Sequence, residues 1–154
     1  MKKSIVLLFV LGFVFLFALP CQALPSGYQY LTKCDEGDIY YHYDKLSLWT
    51  DREKGPMLDA IVIIDLNQQG VAAYMNLTKP PMTGLKHMGF NITYILNAKT
   101  YTTSKMAWFD VNENELFSTP GYSTPQTVVT DSFEHKLAKA LFNKALVKYN
   151  LQKP

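Results

Sequence analysis

The chain is short of cysteine, of charge imbalance and of catalytic motifs, and each shortage narrows what it can be. Its 154 residues hold two cysteines, Cys21 and Cys34. Cys21 lies in a leader-like segment, so the processed chain keeps Cys34 alone and forms no internal disulfide. Cys34 is expected to serve as a small half-buried hydrophobe at a strand end. Asp35 and Glu36 beside it would raise its thiol pKa, which argues against a reactive role. Lys and Arg number 15 against 13 Asp and Glu. Losing the leader removes Lys2 and Lys3 and no acid, leaving a formally neutral chain with no global field to attract nucleic acid. The lysines are nonetheless uneven, with Lys136, Lys139, Lys144, Lys148 and Lys153 near the C-terminal end.

No Gly-x-Ser-x-Gly elbow and no glycine-rich phosphate loop occurs. His42, His87 and His135 match no metal-ligand spacing. Glu113 and Glu115 stand in a turn among asparagines, where solvated charge accounts for them. The reading is therefore of a non-enzyme, with no catalytic residue, cofactor or metal site assigned. Internal repeats and low-complexity tracts are also missing.

What is present begins with an export signal. Met1-Lys2-Lys3 is a basic head, residues 5–19 form an unbroken apolar run, and Pro20 ends it. Cys21-Gln22-Ala23 offers small residues where a signal peptidase reads, so cleavage after Ala23 is expected. An uncleaved anchor and a lipidated Cys21 are the alternatives. The run of 15 residues falls short of the roughly 20 that span a bilayer, and Pro20 stands where lipidation prefers a small residue. Residues 1–23 are read as a signal peptide of bacterial character and 24–154 as one domain, exported to the periplasm or cell surface. Membrane contact is limited to the signal before cleavage.

The domain is organised around residues 90–118, which alternate like strands. Phe90, Ile92, Tyr94, Leu96 and Ala98 share one face, and turns are expected at Asn97-Ala98-Lys99 and Asn112-Glu113-Asn114. Residues 28–34 and 39–43 read as a hairpin about Asp35-Glu36-Gly37-Asp38, with Gly37 free to take positive φ. Residues 49–56 are polar and read as a surface loop. Residues 58–66 are apolar on both faces and belong in the middle of a sheet. Residues 67–88 stay open, with 71–77 a short helix or another strand. The last element is an amphipathic helix opened by an Asp131-x-x-Glu134 capping box, with Phe133, Leu137, Leu141, Ala145 and Tyr149 along one stripe. The expected fold is α+β: an antiparallel sheet of about five to seven strands with that helix packed on one face.

Ten tyrosines enrich the chain. Tyr28, Tyr30, Tyr40, Tyr41 and Tyr43 cluster on the first two strands. They read either as core rings with hydroxyls reaching water or as a binding surface, since tyrosine gives large contact area at low entropy cost.

Three segments carry a resemblance. Ile39-Tyr40-Tyr41-His42-Tyr43-Asp44-Lys45-Leu46-Ser47-Leu48 resembles the strand, Tyr-Asp, Ser-Leu segment of small exported bacterial proteins with a surface-adhesin protein E-like domain. Met106-Ala107-Trp108-Phe109-Asp110, its turn and the return to Ser118 are similar to that group's aromatic-Asp hairpin, and residues 127–149 to its terminal helix. The resemblance implies the same helix-on-sheet fold, the cell envelope, and binding of extracellular or envelope macromolecules as an adhesin-like module. That group's best-known member ties its helix to the sheet with a disulfide; here apolar packing has to do so. No functional residue is carried over. The second expectation is a periplasmic small-ligand carrier or accessory protein with a pocket between helix and sheet.

Overall fold

The structure is a computed structural model, and it describes residues 24–149. Residues 1–23, read from the sequence as a signal peptide, lie outside the described residues. Eight strands form one antiparallel sheet: β1 Tyr28–Cys34, β2 Gly37–His42, β3 Ser47–Asp51, β4 Gly55–Leu66, β5 Leu85–Ile95, β6 Thr100–Asp110, β7 Glu115–Pro120 and β8 Gln126–Thr127. Among the described residues there are two α-helices, α1 Gln68–Tyr74 and α2 Phe133–Lys148.

The strand order is β1-β2-β4-β5-β6-β7. Two long strands each serve two short partners along one edge. β4 pairs with β2 through its second half and with β3 through its first. β6 pairs with β7 and, at its start, with β8. These short partners raise the strand count above the five to seven expected. β3 overlaps the stretch read as a loop, residues 49–56, which also holds the start of β4: Trp49 and Thr50 are exposed edge residues, so little in their polarity marks a strand, and pairing with β4 makes it one. β4 does take the central position expected of it, flanked by β2 and β5.

Alternation then sorts the residues. On β4, Leu58, Ala60, Val62, Ile64 and Leu66 are buried, and Asp59, Ile61, Ile63 and Asp65 are half-buried on the other face. Met88, Phe90, Ile92 and Tyr94 of β5 join the first set. Helix α2 roofs this face with Leu137, Leu141 and Ala145, at 1, 0 and 0% exposure. Each of the two leucines contributes about 1.5–3 kcal/mol before entropy, and this packing holds the helix in place of a disulfide.

The helix cap lies one residue later than expected. Ser132 is the N-cap, accepting from the His135 amide at 3.2 Å, while Asp131 has φ 63° and its own amide donates to His135 Nδ1 at 3.0 Å. A histidine thus plays the reciprocal part that Glu134 was expected to play. At the other end, Lys148 Nζ donates to the carbonyls of Tyr43 and Leu46 at 2.7 and 2.8 Å, and so ties the helix terminus to the turn between β2 and β3.

Residues 67–88 resolve into α1, a 3-10 turn over Met75–Leu77 and the first residues of β5. Asn67 caps α1 by accepting from the Gly70 amide at 2.9 Å. Its own amide donates to Glu36 O, and its side chain to Asp35 O, so α1 is clamped to the β1–β2 turn. Close approach explains two glycines there. A Cβ on Gly70 would collide with the Glu36 carbonyl, and one on Gly37 with the Asp65 carbonyl. Gly37 is therefore required for proximity; it is not among the positive-φ residues. The β6–β7 turn forms around Asp110, whose carboxylate accepts from the amides of Asn112 and Asn114 and from the Asn114 side chain.

Candidate functional site

Among the described residues two surfaces stand out as candidate sites, and they lie on opposite faces of the sheet. The first is a cavity of about 700 Å³ between the first turns of α2 and the covered face. Its floor is Ile64, Phe90 and Ile92 from the central strands with Met106 and Trp108 of β6, and its roof is Phe133 and Leu137. The register of β6 against β5 shifts between Phe90 and Ile92, so that Thr103 and Met106 both reach the floor. An irregularity of this kind bends a strand and opens space beneath whatever covers it. Thr103 is buried and polar; its Oγ1 accepts from the Tyr122 amide at 2.8 Å and holds that loop at the rim. Tyr101 and Tyr74 complete the walls.

The ionisable groups here are pushed away from neutral chemistry. Burial raises the Tyr74 and Tyr101 phenols above their usual range, with Glu36 and Glu134 respectively adding to the effect. Tyr94 beneath them is raised further by burial, and its hydroxyl donates to the Glu134 carbonyl at 2.9 Å. The Cys34 thiol, at the end of β1, is also raised, chiefly by burial, with hydrogen bonds to the backbone at Glu36 and Gly37 opposing the rise and the Glu36 side chain adding to it; it donates to Gly37 O at 3.5 Å. It sits half-buried at the strand end as the sequence suggests, though Asp35 is not among the causes of its shift. Burial therefore favours the protonated, uncharged form of each of these groups.

The second region is the uncovered face. Tyr28, Tyr30 and Tyr40 come together there. Tyr30 and Tyr40 meet edge to face at 5.7 Å, and Tyr28 meets His42 the same way at 5.0 Å. Tyr30 is 53% exposed. Trp49 of β3 lies on the same face, anchored by its indole N–H to Asp59 at 2.6 Å. A depression of about 140 Å³ between Ile61, Ile63 and Phe109 adds apolar surface. The other two tyrosines are elsewhere. Tyr41 is 2% exposed on the covered face, with its hydroxyl donating to Gln29 at 2.8 Å. Tyr43 lies in the 3-10 turn with Lys148 4.8 Å from its ring centre.

Sequence reasoning missed the cavity residues, because Trp108, Met106 and Leu137 read equally well as solid core. The one available signal was Thr103, a polar residue in an inward position. Among the described residues no group of three His, Cys, Asp or Glu side chains is placed to hold a metal ion. No protein-family model matches the chain, and no curated protein is significantly similar to it.

Proposed function

We propose that the protein is an exported, non-enzymatic carrier that holds a small, largely apolar molecule between α2 and the sheet. The observation that carries this is the 700 Å³ cavity. Ligand sites are concave, mostly apolar, and about 300–1,000 Å³ in size, with a few polar groups at fixed places. A helix that closed fully on its sheet would leave no such space. The expected signal peptide supports an envelope location, and the resemblance to the surface-adhesin protein E-like group points to the same compartment.

The test uses the neutral dye N-phenyl-1-naphthylamine, which fluoresces in apolar sites. The mature chain binds it saturably at one site, and Met106→Trp, which fills the floor, abolishes binding while leaving the melting curve intact. Dye emission no greater than that of Met106→Trp overturns the reading.

A second reading is favoured by the exposed rings of Tyr30 and Trp49 on the uncovered face: an adhesin-like module that grips an extracellular or envelope macromolecule. Pull-downs from envelope extracts and host-matrix binding, lost in Tyr30→Ser with Trp49→Ser, are its expected signature. Retention that is indifferent to both substitutions removes it.

A further inference from the structure

The cavity's lining narrows what it can hold; this step rests on the carrier reading. We infer that its ligand is an uncharged apolar molecule bearing one hydrogen-bond acceptor of the ester or ketone class.

Charge is the first argument. The charged residues bordering the cavity are Lys33, Lys136, Asp35, Glu36 and Glu134. They carry both signs, and among the described residues none of them is in an ion pair. Lys33, Asp35 and Lys136 are solvent-exposed. The floor and roof contain no cation or anion. An ionised head carried to that depth would be desolvated without a partner, which is costly enough to prevent it. At the rim, mixed charge favours neither an anion nor a cation.

The second argument is an unmatched donor. Trp108 is 3% exposed and forms part of the floor. Its ring stacks on Phe117 at 5.4 Å and tilts against Tyr74 at 6.2 Å. Its Nε1 is buried and has no hydrogen-bond partner. A buried indole N–H ordinarily finds an acceptor, because leaving it unmade forfeits its hydration. Solvent does not reach this atom in the unliganded fold, so the indole is matched only when a ligand in the cavity displaces neighbouring side chains and presents an acceptor to it. A carbonyl or ester oxygen does this without bringing charge. Aromatic rings, isoleucines and two flexible methionines, Met88 and Met106, line much of the rest, with Thr32 and Thr103 as uncharged polar members, a surface that adapts to chain or ring shapes.

The experiment displaces the dye with four ligands of one chain length: methyl decanoate, decane, decanoate and decyltrimethylammonium. In the wild-type chain methyl decanoate competes at least tenfold better than decanoate or the ammonium. Trp108→Phe weakens methyl decanoate about five- to tenfold, the size of one buried hydrogen bond, and leaves decane within twofold. Comparing the two ligands in the two proteins cancels their different hydrophobicity. The indole N–H resonance of Trp108 in the wild-type chain moves on adding methyl decanoate and not on adding decane, a readout that needs no variant to fold. If no ligand competes and the dye itself does not bind, the carrier reading fails. If all four compete alike, if an ion binds best, or if Trp108→Phe and the resonance are indifferent to the ester, the carrier reading stands and this ligand class is overturned.

Discussion

Strand β4 passes through two environments at once, and the contrast between them explains most of the molecule. On one side Leu58, Val62 and Ile64 lie under α2 at 0, 0 and 4% exposure. On the other, Ile61 and Ile63 sit half-buried beside Asp59 and Asp65, under no helix among the described residues. Similar side chains, one residue apart, do different work. The covered face supplies stability and encloses the cavity. The uncovered face partners its half-buried charges, with Asp65 paired to Lys86 and Asp59 accepting from Trp49 and Thr93. A side chain's contribution here is set by what lies above it.

That comparison can be broken by truncating the same kind of residue on either side. Leu141→Ala removes a side chain at 0% exposure from the roof, and should cost about 2–5 kcal/mol. Ile61→Ala, on the bare side, should cost about 1 kcal/mol or less. Urea unfolding of both variants measures the gap, and equal losses would mean that the helix is not the main cover.

The helix entrance offers a smaller contrast. Ser132→Ala deletes the N-cap acceptor and should lower stability by about 1 kcal/mol. Asp131→Gly relieves a positive φ and should be neutral or mildly stabilising. The reverse order would restore Asp131 as the cap.

The smallest effect concerns the one histidine tucked into the open side. His87 is 9% exposed, with Nδ1 3.5 Å from Asp65 Oδ1. Burial lowers its pKa from 6.5, Lys86 lowers it as well, and Asp65 and Glu113 pull only partly the other way. The unfolded chain then binds this proton more readily than the folded one. Its contribution is complete above the unfolded pKa and is lost as pH falls through the depressed folded value. The carboxylates lowered by hydrogen bonds, Asp51, Asp110 and Glu115, act only further into acid. Between about pH 7 and about pH 5 the urea midpoint should therefore drop, and His87→Phe should flatten the slope.

Much of the scaffold is legible in the chain. Period-2 alternation marks β4, β5 and β6, and period-3.6 recurrence marks α2, because both patterns are local consequences of where Cβ atoms point. The turns at residues 97–99 and 112–114 are marked by their asparagines, although the residues that take positive φ there are Lys99 and Glu113. β3 was not legible, since an edge strand paired through its backbone needs no apolar signature. The fate of Tyr40 and Tyr41 was half legible. Alternation separates them, but only the position of α2 decides that Tyr41 is the buried one.

By itself the sequence determined the long strands, their alternating faces and the amphipathic helix that must cover a sheet, because these depend on side-chain order and backbone geometry alone. The cavity, the unmatched indole of Trp108 and the division of five tyrosines among three places were decided by tertiary structure. They depend on where α2 lies across the sheet, on how the strands pair and on a register shift between β5 and β6, all of which join residues far apart in the chain.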